Sequence, residues 1–180
     1  MIDFKDIDFS DINEINTRTV LWGKEGIYTL LTVTSENGQD ADELGVKKHL
    51  DFINEKLKWL DENKAIILRE VVNQNGGNLA RIWTEQSDIP VSEDEEGRFA
   101  KINGVRFAFP VTDMDFCTSL VPAGISVEIE EYIDKNHQKR DCFILLFLDC
   151  VPDYFKGNSL EIEISNKDNN ISVKFHGIVG

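Results

Sequence analysis

"DCFILLFLDCVPDYFKGNSLEIEIS", Asp141 to Ser165, changes its hydrophobic pattern twice, and its reading decides the fold. Cys142 to Leu148 is apolar without a break. That pattern predicts a strand covered on both faces and central in a sheet. Ser159 to Ser165 alternates, with Leu160, Ile162 and Ile164 on one face and Glu161 and Glu163 on the other, which predicts a half-buried strand. Between them, Val151 to Asn158 contains Pro152 and Gly157 and must turn the chain. Tyr154 and Phe155 are expected to pin this bend to the core, and Gly157-Asn158 to give it backbone freedom.

Outward from this stretch, "AGISVEIEEYI" (Ala123–Ile133) and "ISVKFHG" (Ile171–Gly177) alternate as well, joined through the turns "DKNHQK" and "NKDNN". Four strands would then form an antiparallel meander. Upstream, "TRTVLWGKEGIYTLLTVT" (Thr17–Thr34) carries two β-rich runs around Gly23 to Gly26, a predicted hairpin, and "SENGQDAD" (Ser35–Asp42) breaks the pattern. From Asp42 the period becomes helical: Val46, Leu50, Ile53, Leu57 and Leu60 share a face, with His49 at its boundary. The signal continues through Ile67, Leu68, Val71 and Val72. "WLDENK" is expected to bend the helix with Asp61 as a cap, and Gly76-Gly77 to end it. "NLARIW" (Asn78–Trp83) adds a turn capped by Asn78, with Trp83 inward.

"TEQSDIPVSEDEEG" (Thr84–Gly97) reads as a loop whose Glu93-Asp94-Glu95-Glu96 run is solvated; it lacks the ligand spacing of a calcium loop. "GRFAKINGVRFAFP" (Gly97–Pro110) predicts a hairpin around Asn103-Gly104, and "TDMDFCTSL" a short helix capped by Thr112. The expected architecture is α+β, a mainly antiparallel sheet with a C-terminal meander and one face under a helical layer made by residues 42–83. The 180 residues are expected to form one domain, with an N-terminal β-hairpin region (1–40), the helical layer (42–83) and the main sheet (98–180).

The composition, 41% hydrophobic and 29% charged, is that of a chain able to bury a core without a disulfide, metal or cofactor. With 33 acidic and 19 basic residues the net charge is −14, which repels phosphate backbones and anionic lipid. Nucleic acid and membrane are therefore excluded as expected partners, and a basic protein is left. The start "MIDFKDIDFSD" lacks the basic-then-apolar pattern of a signal peptide, and the longest apolar run is too short to span a bilayer. The odd count of three cysteines, Cys117, Cys142 and Cys150, fits a reducing cytoplasm. Eight residues apart on one strand, Cys142 and Cys150 would lie about 26 Å apart, beyond any disulfide.

No P-loop, dinucleotide glycine fingerprint, nucleophile elbow, HExxH or zinc-spaced cysteines occur. Asp149, Asp153 and His176 are the candidate catalytic or metal-ligating residues, since His176 could pair with a carboxylate of the neighbouring strand for acid–base work. The competing reading makes His176 a surface pair and Asp153 a brace for the loop backbone. Tyr154 and Asn158 are candidate binding residues. His137 lies in a charged turn, and Cys117 reads as a buried thiol. Trp22, Trp59 and Trp83 read as core-edge anchors or groove lining.

A helix carrying "LKWLDENKAIILREVV" (Leu57–Val72), then Trp83, then "LVPAGISVEI" (Leu120–Ile129) and "FLDCVPDYFKGNSLEIEISNKDNNISVKFHGIVG" (Phe147–Gly180) resembles, over residues 42–180, a group of uncharacterised bacterial domains. These end in an aspartate-rich strand exit, an aromatic, a Gly-His turn, an alternating strand and a last strand closed by glycine. Similar proteins occur among predicted immunity proteins of bacterial toxin loci. The resemblance implies no established activity; the net charge of −14, the small single domain and the missing catalytic motifs lead to the expectation of a non-catalytic, protein-binding role, and a structural module that dimerises through an exposed strand edge is a further possibility. Where the group has histidine after the turn glycine this chain has Asn158, so a chemical role of that histidine is not carried over. The alternative expectation is a small hydrolase or ligand-binding domain around Asp149, Asp153, Asn158 and His176.

Overall fold

The computed structural model describes residues 1–11, 14–34, 43–134, 137–167 and 170–180. "SENGQDAD" and the tips of "DKNHQK" and "NKDNN" lie outside them, as does the side chain of His137. In chain order the elements are β1 (Asn16–Leu21), β2 (Lys24–Thr34), α1 (Glu43–Glu62), α2 (Lys64–Asn73), α3 (Gly76–Glu85), β3 (Val91–Asp94), β4 (Gly97–Ile102), β5 (Val105–Ala108), α4 (Asp113–Ser119), β6 (Leu120–Asp134), β7 (His137–Cys150), β8 (Ser159–Lys167) and β9 (Asn170–Val179). The fold is α+β with mainly antiparallel strands. No described helix is long and apolar enough to cross a membrane.

Two sheets form among these residues: six strands in the order β1-β2-β6-β7-β8-β9, and three in the order β3-β4-β5. The links from β6 to β7 and from β8 to β9 are two residues long, and the link from β7 to β8 is eight. A parallel pair needs a crossover of about a dozen residues or more, so β6 to β9 run as an antiparallel meander. β2 and β6 are parallel, in register from Tyr28 opposite Gly124 to Thr34 opposite Glu130. The N-terminal hairpin is thus part of the larger sheet, and β4 and β5, expected in the main sheet, make a sheet of their own with β3. A local pattern announces a strand but not its neighbour.

Several boundaries move for identifiable reasons. The first hairpin turns at Trp22-Gly23, both at positive φ (53° and 79°), and not over Gly23 to Gly26. Trp22 holds that left-handed backbone because its N–H donates to Asp61 Oδ1 (2.6 Å) and its indole N–H to the Leu60 carbonyl (3.1 Å). Asp61 is therefore a latch inside α1 rather than a cap. Gly76-Gly77 open α3 instead of ending a helix; Asn75, at φ 83°, makes the corner before them. Val91 to Asp94 are strand, not loop, paired through Val91 opposite Ala100. Thr112 caps α4 as expected, accepting from the Asp115 N–H at 3.0 Å. β7 lies between β6 and β8, yet only one face is sealed. Cys142, Ile144, Leu146 and Leu148 are buried, while Phe143, Leu145 and Phe147 are half-buried.

The contacts group into two compact units, each built from separate stretches of chain. Met1–Lys64, Pro122–Leu146 and Glu163–Val173 form the first, whose core includes Leu31, Val46, Ile53, Leu60, Val127, Ile129 and Leu146. Here the apolar face of α1 packs on β1 and β2. Ala65–Val121, Phe147–Ile162 and Lys174–Gly180 form the second, centred on Ile67, Val71, Phe107, Phe116, Tyr154, Phe155 and Leu160.

Candidate functional site

The bend after β7 belongs to the second unit, and its polar groups brace the chain. Asp149 Oδ1 accepts from the Ser159 hydroxyl at 2.6 Å, joining the two ends of the bend. Asp153 Oδ1 accepts from the Phe155 N–H at 3.1 Å, an Asx turn. Asn158 donates its side-chain N–H to the Phe155 carbonyl at 2.6 Å, and its carboxamide fills the space beside Gly180. Lys156 and Gly157 take the left-handed backbone that reverses the chain. His176 is exposed on β9. Among the described residues no three of His, Cys, Asp and Glu come together as metal ligands. The geometry therefore joins Asp149, Asp153 and Asn158 to the loop itself and not to one another around a reacting centre.

Tyr154 and Phe155 are 2% and 0% exposed. Tyr154 meets Phe107 edge-on at 5.2 Å, and Phe155 meets Trp83 edge-on at 5.8 Å. The Tyr154 hydroxyl is buried without a hydrogen-bond partner, and burial pushes its pKa well above the ordinary phenol range. An unsatisfied buried hydroxyl costs stability, so Tyr154→Phe is expected to raise it by about 1 kcal/mol, read as a higher urea midpoint at unchanged slope. Burial pushes the Cys142 and Cys150 thiols up to about 12, and burial followed by the Asp113 charge raises Cys117, so none is a ready thiolate at neutral pH. Trp22 latches the first hairpin to α1. Trp59 lines a narrow apolar crease with Lys56, Cys142, Ile144, Ile164 and Ile171.

A different hollow, of about 340 Å³, lies in the first unit and is lined by Lys48, His49, Glu131, Lys139 and Arg140. α1 supplies the first two, β6 the third and β7 the last two. Sequence reading placed His49 at a boundary, but its side chain is 2% exposed. The missed signal is its spacing: three residues after Val46 and four before Ile53, on the face that faces the core. His49 Nε2 lies 3.1 Å from Glu131 Oε1 without hydrogen-bond alignment, and Nδ1 has no partner at all. Lys48 Nζ clamps both Glu131 oxygens at 2.7 and 3.0 Å.

Burial lowers the His49 pKa from 6.5, outweighing the pull of Glu131. For Glu131, burial raises the carboxyl pKa, but the Lys48 hydrogen bonds and the His49 and Lys48 charges together hold it below 4.5. The unfolded chain thus binds a proton at position 49 before the folded chain does, and stability contributed by neutral His49 is lost as pH falls below 6.5. Glu131 acts in a separate window, below 4.5. Urea unfolding at pH 7.5 and 5.5 should show a larger drop for the parent chain than for His49→Leu, with a difference of at most about 1.4 kcal/mol per pH unit, the ceiling for one proton.

The second unit also carries an acidic edge. Residues 91–96 are all exposed, and Glu93, Asp94, Glu95 and Glu96 follow one another along β3 and its turn. Arg106 of β5 is held there, its guanidinium 2.7 and 3.0 Å from the Asp94 oxygens and 3.1 Å from Glu96, and stacked 3.7 Å from the Phe99 ring centroid. Arg106 lowers the Asp94 pKa by these bonds. Glu93 and Glu95 are left as additional negative charge at this edge. No family model, no curated protein and no solved structure matches the chain.

Proposed function

We propose that this chain is a non-catalytic cytoplasmic protein of bacteria that acts by covering a basic surface of a protein partner, as an immunity protein covers a toxin. The observation that carries this reading is the acidic edge at β3. β3 is a strand with every residue exposed that pairs, among the described residues, with β4 alone, and its two carboxylates, Glu93 and Asp94, are followed in the turn by Glu95 and Glu96. Arg106 already shows how a guanidinium sits against it, doubly bonded to one carboxylate and with its central carbon over an aromatic ring. A basic protein site could take the same bonds from Glu93 and Glu95, and the net charge of −14 would steer the encounter. The bend after β7 offers no comparable site, since its carboxylates and amide are engaged with the loop.

The test is protection of cells against a toxin encoded beside this gene, with the double variant Glu93→Lys and Glu95→Lys. Full loss of protection in a variant that melts like the parent supports the reading, as does an association rate that falls steeply with salt. A parent chain that binds no neighbouring gene product, or a charge-reversed variant that still protects, ends it.

A further inference from the structure

We infer that the open edge of β3 in the second unit takes up an extended basic segment of the partner as an added strand, bonded through the backbones of Val91 and Glu93. This rests on the protein-binding reading and gives it a mode of contact.

The backbone is the first reason. In an antiparallel ladder each residue turns both its N–H and its C=O toward the neighbouring strand or away from it, alternately. The Arg98 carbonyl accepts from the Phe109 N–H at 3.0 Å, so Arg98 turns its backbone groups to the β5 side of β4. Glu93 stands opposite Arg98 and therefore turns its own groups away from β4. Val91, opposite Ala100, does the same two residues earlier, while Ser92 and Asp94 turn theirs to β4. All four residues of β3 are exposed, and among the described residues the strand pairs with β4 alone. Two N–H donors and two carbonyl acceptors thus line an exposed edge at strand spacing, the arrangement that strand addition uses.

Charge decides what fits there. Asp94 and Glu96 bond Arg106, and among the described residues Glu93 and Glu95 make no ion pair. Arg98, directly across from Glu93, has its guanidinium over the Phe109 ring at 5.5 Å. A second copy of the chain would set this acidic run against an identical one, and like charges facing each other across strands are destabilising. A lysine or arginine opposite Glu93 in an incoming strand points to the same face as that carboxylate and can pair with it. Main-chain bonds would hold the segment, and the cations would select it.

The edge also sets the length of what it takes. Pro90, just before β3, has no N–H to offer, and Gly97, at φ 110°, lies where the chain has turned back into β4. Four residues at about 3.3 Å each span about 13 Å, so a short extended arm or loop of the partner fills the edge.

The probe is an acetylated and amidated heptapeptide in which lysine or arginine alternates with valine, titrated into the full chain by calorimetry and NMR. Two further forms accompany it. One is N-methylated at two adjacent central residues, so that each edge of the peptide loses an N–H. The other carries glutamate in place of every cation. On the protein side, Val91→Pro removes an outward N–H and no charge, and Glu93→Gln with Glu95→Gln removes charge and no backbone group. The expected result is saturable one-site binding of the unmodified peptide, weakened about threefold or more by Val91→Pro and about tenfold or more by N-methylation or by the double charge variant. The glutamate peptide should not bind, and amide shifts should gather at Val91 and Glu93. Proline is tolerated where an edge N–H faces solvent, so Val91→Pro should melt like the parent; if it unfolds, the N-methylated peptide makes the same test on the parent chain. Absence of saturable binding, or an N-methylated peptide that binds as tightly as the unmodified one, overturns the inference. The two readings fail separately. Equal binding of both basic peptides, lost in the double charge variant, removes strand addition and leaves the acidic edge as a site for basic side chains. A parent chain that protects against no neighbouring toxin and binds no neighbouring gene product ends that site and strand addition with it.

Discussion

Phe155→Ala will cost about 3–5 kcal/mol of folding stability, the range for emptying a fully buried aromatic site. The residue is 0% exposed, and its ring sits edge-on against Trp83 at 5.8 Å and near-perpendicular to Tyr154 at 6.5 Å. Removing it leaves a void between two rings that are themselves anchored, so the site cannot collapse to fill it. The backbone of the same residue holds the bend: its N–H bonds to Asp153 and its carbonyl accepts from Asn158. Asp153→Ala removes only one of those bonds, on a half-buried side chain, and is expected to cost about 1 kcal/mol. Paired urea curves decide the point. With total stability of the order of 5–15 kcal/mol, the first variant should lose about a fifth of its margin or more and the second little. A Phe155→Ala loss below about 1 kcal/mol would mean that the bend is not a core element.

That anchor was legible because an aromatic pair beside a turn glycine, between two strand patterns, has one economical packing. Leu160, Ile162 and Ile164 were legible for the same reason: period-two burial is written into the sequence and all three are buried. What could not be read was pairing at a distance. Nothing near Tyr28 says that it lies opposite Gly124, because a parallel neighbour is chosen by the whole connection and not by the strand. The unbroken apolar run of β7 promised two sealed faces, yet Phe143, Leu145 and Phe147 stay half-buried, since apolar composition does not tell how much cover each face receives.

The two sites differ in the same way. Glu93 to Glu96 are contiguous and were seen at once, although read as loop. The hollow at His49 draws on positions 48–49, 131 and 139–140, and no local motif joins them. Only the spacing of His49 from Val46 and Ile53 pointed inward. The candidates at the bend were chosen for residue type, and three of them proved to have nearer partners in the backbone or in Ser159. A short polar side chain in a turn satisfies the turn before it can serve anything else.

Gly76→Ala separates propensity from packing most sharply. On helix propensity alone, alanine near the start of α3 would stabilise by up to about 1 kcal/mol. Here a Cβ would lie 2.8 Å from Val71 Cγ1, 2.9 Å from the Val71 carbonyl oxygen and 3.0 Å from Phe116 Cε1. Val71 and Phe116 are both 0% exposed, and the carbonyl is part of the α2 backbone, so none of the three can step aside without moving a helix. Overpacking of this kind costs about 1–3 kcal/mol or more, and the net expectation is a loss of about 2 kcal/mol. Gly77→Ala is the control. Its Cβ would meet Asp113 Oδ1 at 2.5 Å, but that carboxylate is 55% exposed and, among the described residues, is paired with Arg81 at 3.4 Å, so it can swing away. It should cost well under 1 kcal/mol, because an exposed ion pair contributes little. Thermal melts of the two variants should therefore separate by several degrees. Equal losses would show that the tight approach of α3 to Val71 and Phe116 is not what requires glycine at position 76.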